Sequence, residues 1–549
     1  MKEFITYEEY GAVGDGVTND FFAMKRAHIA ANETGLAVKG TPGKTYLITE
    51  TEEDGVAESI PVMTDVDWCG ATIVVDDREL YWYDAPNKNH NTPSFEIKSP
   101  HSSVAVEKQY IDAINANGGI KHKITKKIDT GLGFPAMLVV SNSNTVHYKR
   151  FGAAGGHSGS PQKELIIVDK DGNIDEKTPV LYDFETVTGI TAYRIDLPTL
   201  TIKNGFIVSR ASQVNLVDKY YSINRGIRFC RPNVYVTNVR HKITDEILKG
   251  TLVDGVPFIG HSYNSFFQMH LTHNVTFEDC TFQSRAYYLQ GTYEIGGWMS
   301  NLICFKNCDQ YNFFKGDKEY PLMPSFGLWW GVAGTNSCKN MIYDGCKLTR
   351  FDAHQGVYNG IIRNCEIGSI RLTGGGDMLI EGTKIYNWDI GNTLQLREDY
   401  GCTWRGTLTI KDSEIVDVKG NSALTCVIVA RSANHDYGYV TYFPNVVIDN
   451  LKIGNAKPLV NLFSDFSMQK NARGLYYRSI YDENLAIAGA PDPYGEPNVN
   501  PYTPPEFITV INNENNGYEL TIPDVPFFRD TKITGVKIIE ADPKFLEVN

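Results

Sequence analysis

The chain has 549 residues, 42% apolar and 21% charged, with 49 glycines, a composition that describes a folded, loop-rich protein able to bury a large core. Its 52 Lys and Arg against 65 Asp and Glu leave a net charge of −13, so a nucleic-acid backbone is repelled on average, while a local basic cleft stays open to an anionic sugar. No apolar run approaches the ~18 residues of a membrane span, which excludes a spanning helix.

The opening MKEFITYEEYGAVGDG has no basic-then-apolar leader. That pattern leaves a cytoplasmic protein, or one exported or virion-associated by another route. In EYGAVGDGVTNDFFAMKRAHIAA (9–31), Gly14 and Gly16 suit a turn that needs positive φ. Asp20 is placed to cap a following helix, whose Phe22, Met24 and Ala27 are expected to face a core. VKGTPGKTYLIT (38–49) follows, with a Pro42-Gly43 turn.

These motifs resemble the start of the pectate-lyase-like superfamily. The resemblance implies an all-β, right-handed parallel β-helix with an N-terminal helical cap and large loop insertions. It also implies a polysaccharide hydrolase, a lyase, or a tailspike-like appendage of a phage. Residues 1–50 are then cap and first coil, and 51–483 the β-helix. YWYDAPNKNHNTPSF, INANGGIKHKITKK and GAAGGHSGSPQKE mark an insertion around 80–165. From 484 a Pro-, Gly- and Asn-rich linker leads to a small C-terminal β unit ending at 549.

Within the β-helix region a short unit recurs: NVTFEDCTF, LICFKNCDQ, NMIYDGCKL, GIIRNCEIG, MLIEGTKIY, LTIKDSEIV and VVIDNLKIG. Each alternates apolar and polar residues around a polar corner, the period of a strand. The equivalent positions are Cys280, Cys308, Cys346, Cys365, Thr383, Ser413 and Leu451. One unit cannot bury its apolar face alone, whereas stacked units form a continuous core. The cysteines are therefore expected as free thiols in an internal column. No metal or other cofactor is expected, because the Cys304–Cys308 spacing lacks compact companion ligands.

Six residues beyond the column stand Asp352, Arg371 and Asp389 in three successive units. At a coil spacing of about 4.8 Å the two aspartates would lie roughly 9–10 Å apart at Cα. Their carboxyls would then fall near the ~6.5–9.5 Å of an inverting glycosidase, facing a solvent-filled groove. Arg371 between them would hold one carboxylate ionised. His354 lies two residues past Asp352, and LQLREDYGCTW adds Arg397, Glu398, Asp399 and Trp404. Trp329 and Trp330 precede the Asp352 unit, and stacked aromatics bind sugar faces while charges read hydroxyls. His261 and Glu294 are expected on the walls of the same cleft.

These residues point to a glycoside hydrolase on a complex glycan, with Asp352, Asp389 and Glu398 as acid/base candidates. A lyase on a uronate-containing glycan and a glycan-binding appendage are the alternatives. The expected partner is a carbohydrate, with no nucleic acid and no membrane, for a monomer or homotrimer.

Overall fold

A computed structural model describes residues 2–54, 56–80, 92–150, 158–213, 222–247, 251–253, 255–258, 262–263, 265–283, 293–310, 333–387, 394–417, 424, 426–430, 437–464, 468–470, 476–478 and 502–541. The chain is a right-handed parallel β-helix with an N-terminal helical cap and loop insertions. Residues 1–104, 193–334 and 345–350 form one compact unit; 105–192, 335–344 and 351–549 form a second.

In the first unit, Leu200–Arg210 pairs in parallel with Val234–Thr244, and Val234 begins a second register with Val275. The next coil matches His273 to Asn301. Side chains alternate as a strand with one buried face requires: Leu200, Ile202, Ile207 and Ser209 are buried. Chain corners fall on asparagine. Asn204, Asn238, Asn233 and Asn274 adopt φ between 50° and 60°, a left-handed region that asparagine tolerates better than most residues. Their amides stack as a ladder, Asn238 donating to Asn204 at 2.9 Å and Asn274 to Asn233 at 2.8 Å.

The cap is the helix Phe21–Thr34, which buries Phe21, Ala23, Met24, Ala27, His28 and Ala31. Phe22 is only half-buried. Asp20 does not cap this helix with its side chain, contrary to expectation. Its backbone is already helical (φ −93°, ψ −2°), and the carboxylate instead accepts Val13 N–H at 2.7 Å and Leu47 N–H at 3.3 Å. It fastens the Gly14 turn to the first coil.

In the second unit, Gly374–Glu381 pairs with Trp404–Asp417, which pairs with Asn445–Ile453. Phe507–Ile511 continues that stack, followed by Lys532–Thr534. The C-terminal strands thus add coils in the same parallel register. An inserted segment contributes the helix Lys108–Ala116 and the antiparallel pair Ala136–His147 and Ser160–Val168. It has its own apolar core, with Ile120, Leu138, Val140, Ile166 and Phe184.

The expected column is present inside each unit. In the first, Cys308 N–H donates to Cys346 Sγ at 3.4 Å, and Cys280 is buried beside Cys308. In the second, Cys365 N–H meets Thr383 Oγ1 at 3.3 Å and Thr383 N–H meets Ser413 Oγ at 3.2 Å, with Leu451 in register above Ser413. All ten cysteines are free thiols. No described helix is long and apolar enough to cross a membrane.

Candidate functional site

The sequence CKLTRFDAH opens the long strand Lys347–Arg363. Phe351, Asp352 and Ala353 have no exposed surface, so both faces of the strand are covered there. Asp352 therefore does not face a groove. Its carboxylate accepts both bonds of Arg397 Nη1, at 2.7 and 3.0 Å. Arg397 also grips Asp399 through Nε and Nη2 at 3.0 and 2.8 Å, and Arg150 adds a bond to Asp399 at 2.8 Å. Burial opposes ionisation of Asp399, but Arg397 and then Arg150 hold its carboxyl below the usual range. Both guanidiniums lie 5.9 Å from the Tyr400 ring centre.

His354 joins this group, its Nδ1 at 3.1 Å from Asn336 Oδ1. Burial, reinforced by the charge of Arg397, pushes its pKa down to about 3, so it stays neutral. Glu398 is half-buried at the start of the short turn Glu398–Tyr400. Four expected residues, Asp352, His354, Arg397 and Asp399, are thus brought together. They form an ion network enclosed in protein.

The other expectations fare differently. Arg371 faces Gln395 in register, twelve residues beyond Thr383 where six are expected. Trp404 is fully buried, donating its indole N–H to Gly376 O at 3.0 Å, and offers no platform to a sugar. Glu294 belongs to the first unit and is buried against His241 Nδ1, whose Nε2 lies 2.8 Å from Ser209 Oγ. This serine–histidine–carboxylate chain has almost no exposed surface, and Glu294 lends no charge to a cleft wall. Asp389, Trp329, Trp330 and His261 lie outside the described residues.

The second unit holds a cavity of about 710 Å³ that sequence reasoning did not anticipate. One wall comes from the inserted segment, with His122, Lys123, Lys126 and Lys163; the other comes from the coils, with Tyr358, Asp377, Arg405 and Tyr442. Gly374, Gly375 and Gly376 line it with bare backbone. Gly376 sits at φ +81°, and a Cβ there would meet the Tyr358 ring at 2.8 Å. Also on the cavity lining, Lys339 Nζ donates to Glu164 Oε1 at 2.8 Å and to Pro179 O at 2.7 Å, with both ionic side chains almost fully buried. Burial lowers the Lys339 pKa while Glu164 opposes the change. Glu164 also accepts Leu181 N–H at 2.8 Å, which fixes the segment that presents Tyr182. The ion pair therefore ties insert to coil at the cavity.

At the cavity edge, Asp183 Oδ1 accepts both His122 N–H at 2.8 Å and His122 Nδ1 at 2.6 Å. Partial burial raises the Asp183 pKa, but these hydrogen bonds outweigh it and hold the carboxyl below its usual range. Arg405 donates to His122 Nε2 at 3.0 Å and to Leu181 O at 3.1 Å, and lies 4.9 Å from the Tyr442 ring centre. Lysines and arginine next to tyrosines make a surface suited to an anionic ring compound. The signal in the sequence was IKHKITKK (120–127), a basic run in an acidic chain. Among the described residues no group of three or more His, Cys, Asp or Glu is arranged to hold a metal ion.

No protein-family model matches the chain. A 59-residue stretch is 37% identical to an uncharacterized 65.4 kDa protein in the cps region of Klebsiella pneumoniae. That match spans 11% of this chain and about a tenth of the relative's length (10%). The tailspike protein gp49 from Pseudomonas phage LKA1 is 12% identical, with 98% of this chain and 83% of that one covered at a TM-score of 0.45. The gp54 tailspike of Acinetobacter baumannii bacteriophage AP22, solved in complex with a capsular saccharide, is 10% identical, with 96% and 79% covered at 0.42. The A-module of the Azotobacter vinelandii mannuronan C-5 epimerase AlgE4 is 10% identical, with 99% of each chain covered at 0.27.

Proposed function

We propose that this chain acts on a carbohydrate, and that the cavity of the second unit binds an acidic polysaccharide and cuts it by acid/base chemistry. The observation that carries this reading is the cavity lining. Lys123, Lys126, Lys163 and Arg405 converge there with Tyr358 and Tyr442, on a chain whose net charge is −13. A cluster of that sign on an acidic protein selects for anions and focuses their approach. The tyrosines supply apolar contact for ring faces, and the glycine backbone lets a chain lie close to the coil.

Hydrolysis by paired carboxylates is favoured within this reading by Asp377 and Glu506, both exposed and both on the cavity lining. The Asp352–Arg397–Asp399 network then serves to hold the Tyr400 turn rather than to transfer protons. The test is incubation with a panel of acidic and neutral polysaccharides, scoring new reducing ends separately from unsaturated products. Reducing ends alone mean hydrolysis, and unsaturated ends mean elimination. Binding without cutting makes the protein a glycan-binding appendage, and failure to bind any acidic polysaccharide overturns the reading.

A further inference from the structure

The geometry around His122 assigns a proton-transfer role within the cavity, and this assignment rests on the reading of the cavity given above. Asp183 accepts from the backbone N–H and from Nδ1 of the same residue, so the Nδ1 proton points at a carboxylate. Arg405 has donors only, so its contact at 3.0 Å requires a lone pair on His122 Nε2. The neutral Nδ1–H tautomer is therefore the one the site holds, with its basic nitrogen aimed at a guanidinium. Both His122 and Asp183 keep solvent access, at 33% and 41% of their side-chain surface.

We propose that His122 is a further proton acceptor in the cutting reaction, beside the carboxylates Asp377 and Glu506, and that Arg405 masks its Nε2 until an anionic group of the saccharide takes the guanidinium. A guanidinium prefers a carboxylate or sulfate, which accepts two parallel bonds, over one imidazole nitrogen. Arg405 stays anchored through Leu181 O and the Tyr442 face, so the exchange needs only a small rotation. Once freed, the Nε2 lone pair takes a proton from the water that attacks the anomeric carbon, whose O–H bond breaks as the new C–O bond forms. A protonated carboxyl, Asp377 or Glu506, gives its proton to the leaving oxygen as the glycosidic bond breaks, and Asp183 balances the imidazolium. The other charged groups of the cavity are Lys123, Lys126, Lys163 and Lys339 with the carboxylates Glu164, Asp377 and Glu506, and Lys121 beside His122 is paired with Glu185. Release of Nε2 from Arg405 by a bound anion links substrate binding to exposure of the base.

The test is site-resolved labelling with diethyl pyrocarbonate, which acylates an imidazole nitrogen bearing a free lone pair. At neutral pH, Arg405→Ala is expected to label at His122 about tenfold or more faster than wild type, the scale of one charge-assisted hydrogen bond. Inorganic sulfate should raise the wild-type rate towards that of Arg405→Ala and leave the variant unchanged. Equal rates in wild type and variant, or a wild-type rate indifferent to sulfate, would overturn the masking. Should Arg405→Ala fail to fold, the sulfate arm on wild type decides alone. This arm uses no saccharide, so it succeeds or fails independently of the proposed function. On a polysaccharide that wild type cuts, His122→Gln should bind with wild-type affinity and lose cutting by about 10²-fold or more. Normal cutting by His122→Gln overturns the assignment.

Discussion

Arg397 Nη1 reaches both carboxylate oxygens of Asp352, at 2.7 and 3.0 Å, and the aspartate has no exposed surface. A charge in that position is tolerable only while its partner is present. Asp352→Asn should therefore act on stability. Breaking a buried pair by removing one partner costs about 3–5 kcal/mol, and Asp399 relieves part of it by retaining its own bonds to Arg397. Denaturant unfolding should show a lower midpoint with an unchanged slope. A variant as stable as wild type would show the pair to be dispensable.

Three buried histidines set a direction for pH dependence. Burial pushes the pKa of His28 down to about 3 and that of His147 to about 4, and burial with Arg397 pushes His354 to about 3, from an ordinary 6.5. Each is lower folded than unfolded, so unfolding takes up protons. The stability is fully present above about pH 6.5 and is lost as pH falls towards the folded values. The slope is about 1.4 kcal/mol per pH unit for each such group. Thermal melts from pH 7 to 5 should show a falling Tm, and His28→Gln should flatten the decline. A Tm that rises on acidification would contradict the sign.

The coil corners give a backbone prediction. Asn359 sits at φ 61°, donates to Asn340 Oδ1 at 3.1 Å and accepts Asp377 N–H at 2.8 Å. Asn359→Gly keeps the backbone conformation and loses the two bonds, whereas Asn359→Ala loses both bonds and strains the left-handed turn. The alanine variant should be the less stable by about 1 kcal/mol in chemical denaturation. Equal stability of the two variants would remove the corner's conformational role.

Thiol chemistry should follow the column. Eight of the ten cysteines are buried and shielded only by the fold, so titration after unfolding without reductant should find all ten. In the native chain Cys308 should be among the slowest, because burial pushes its thiol pKa well up, reinforced by Cys280 and Cys346. Fast native labelling of Cys308 would contradict its place in the column.

The parallel coils were legible because two-residue alternation and a polar corner are local properties that survive loops of any length. The column survived as well, since Cys346, Cys365, Thr383 and Ser413 each sit at the corner of a unit. The site is less legible because a fixed offset of six from the column does not hold from one coil to the next. Arg371 is six residues beyond Cys365, but its partner Gln395 is twelve beyond Thr383. Nothing in the sequence fixes how much chain a coil spends between paired positions. Cover is a tertiary property that no offset carries: Phe351 and Ala353 are as buried as Asp352. The basic run at 120–127 was visible, yet its convergence with Arg405 depends on an insert folding back onto coils some 280 residues later.

Recognition of an acidic polysaccharide by the basic cavity is tested most directly by calorimetric titration with polygalacturonate across a salt series. Lys163 is exposed on the cavity wall, so Lys163→Ala removes charge with little effect on the fold. The account predicts binding that weakens steadily with added salt, a shallower salt dependence in Lys163→Ala, and no binding of neutral dextran. Equal affinity for dextran, or polygalacturonate binding indifferent to both salt and Lys163→Ala, would contradict it.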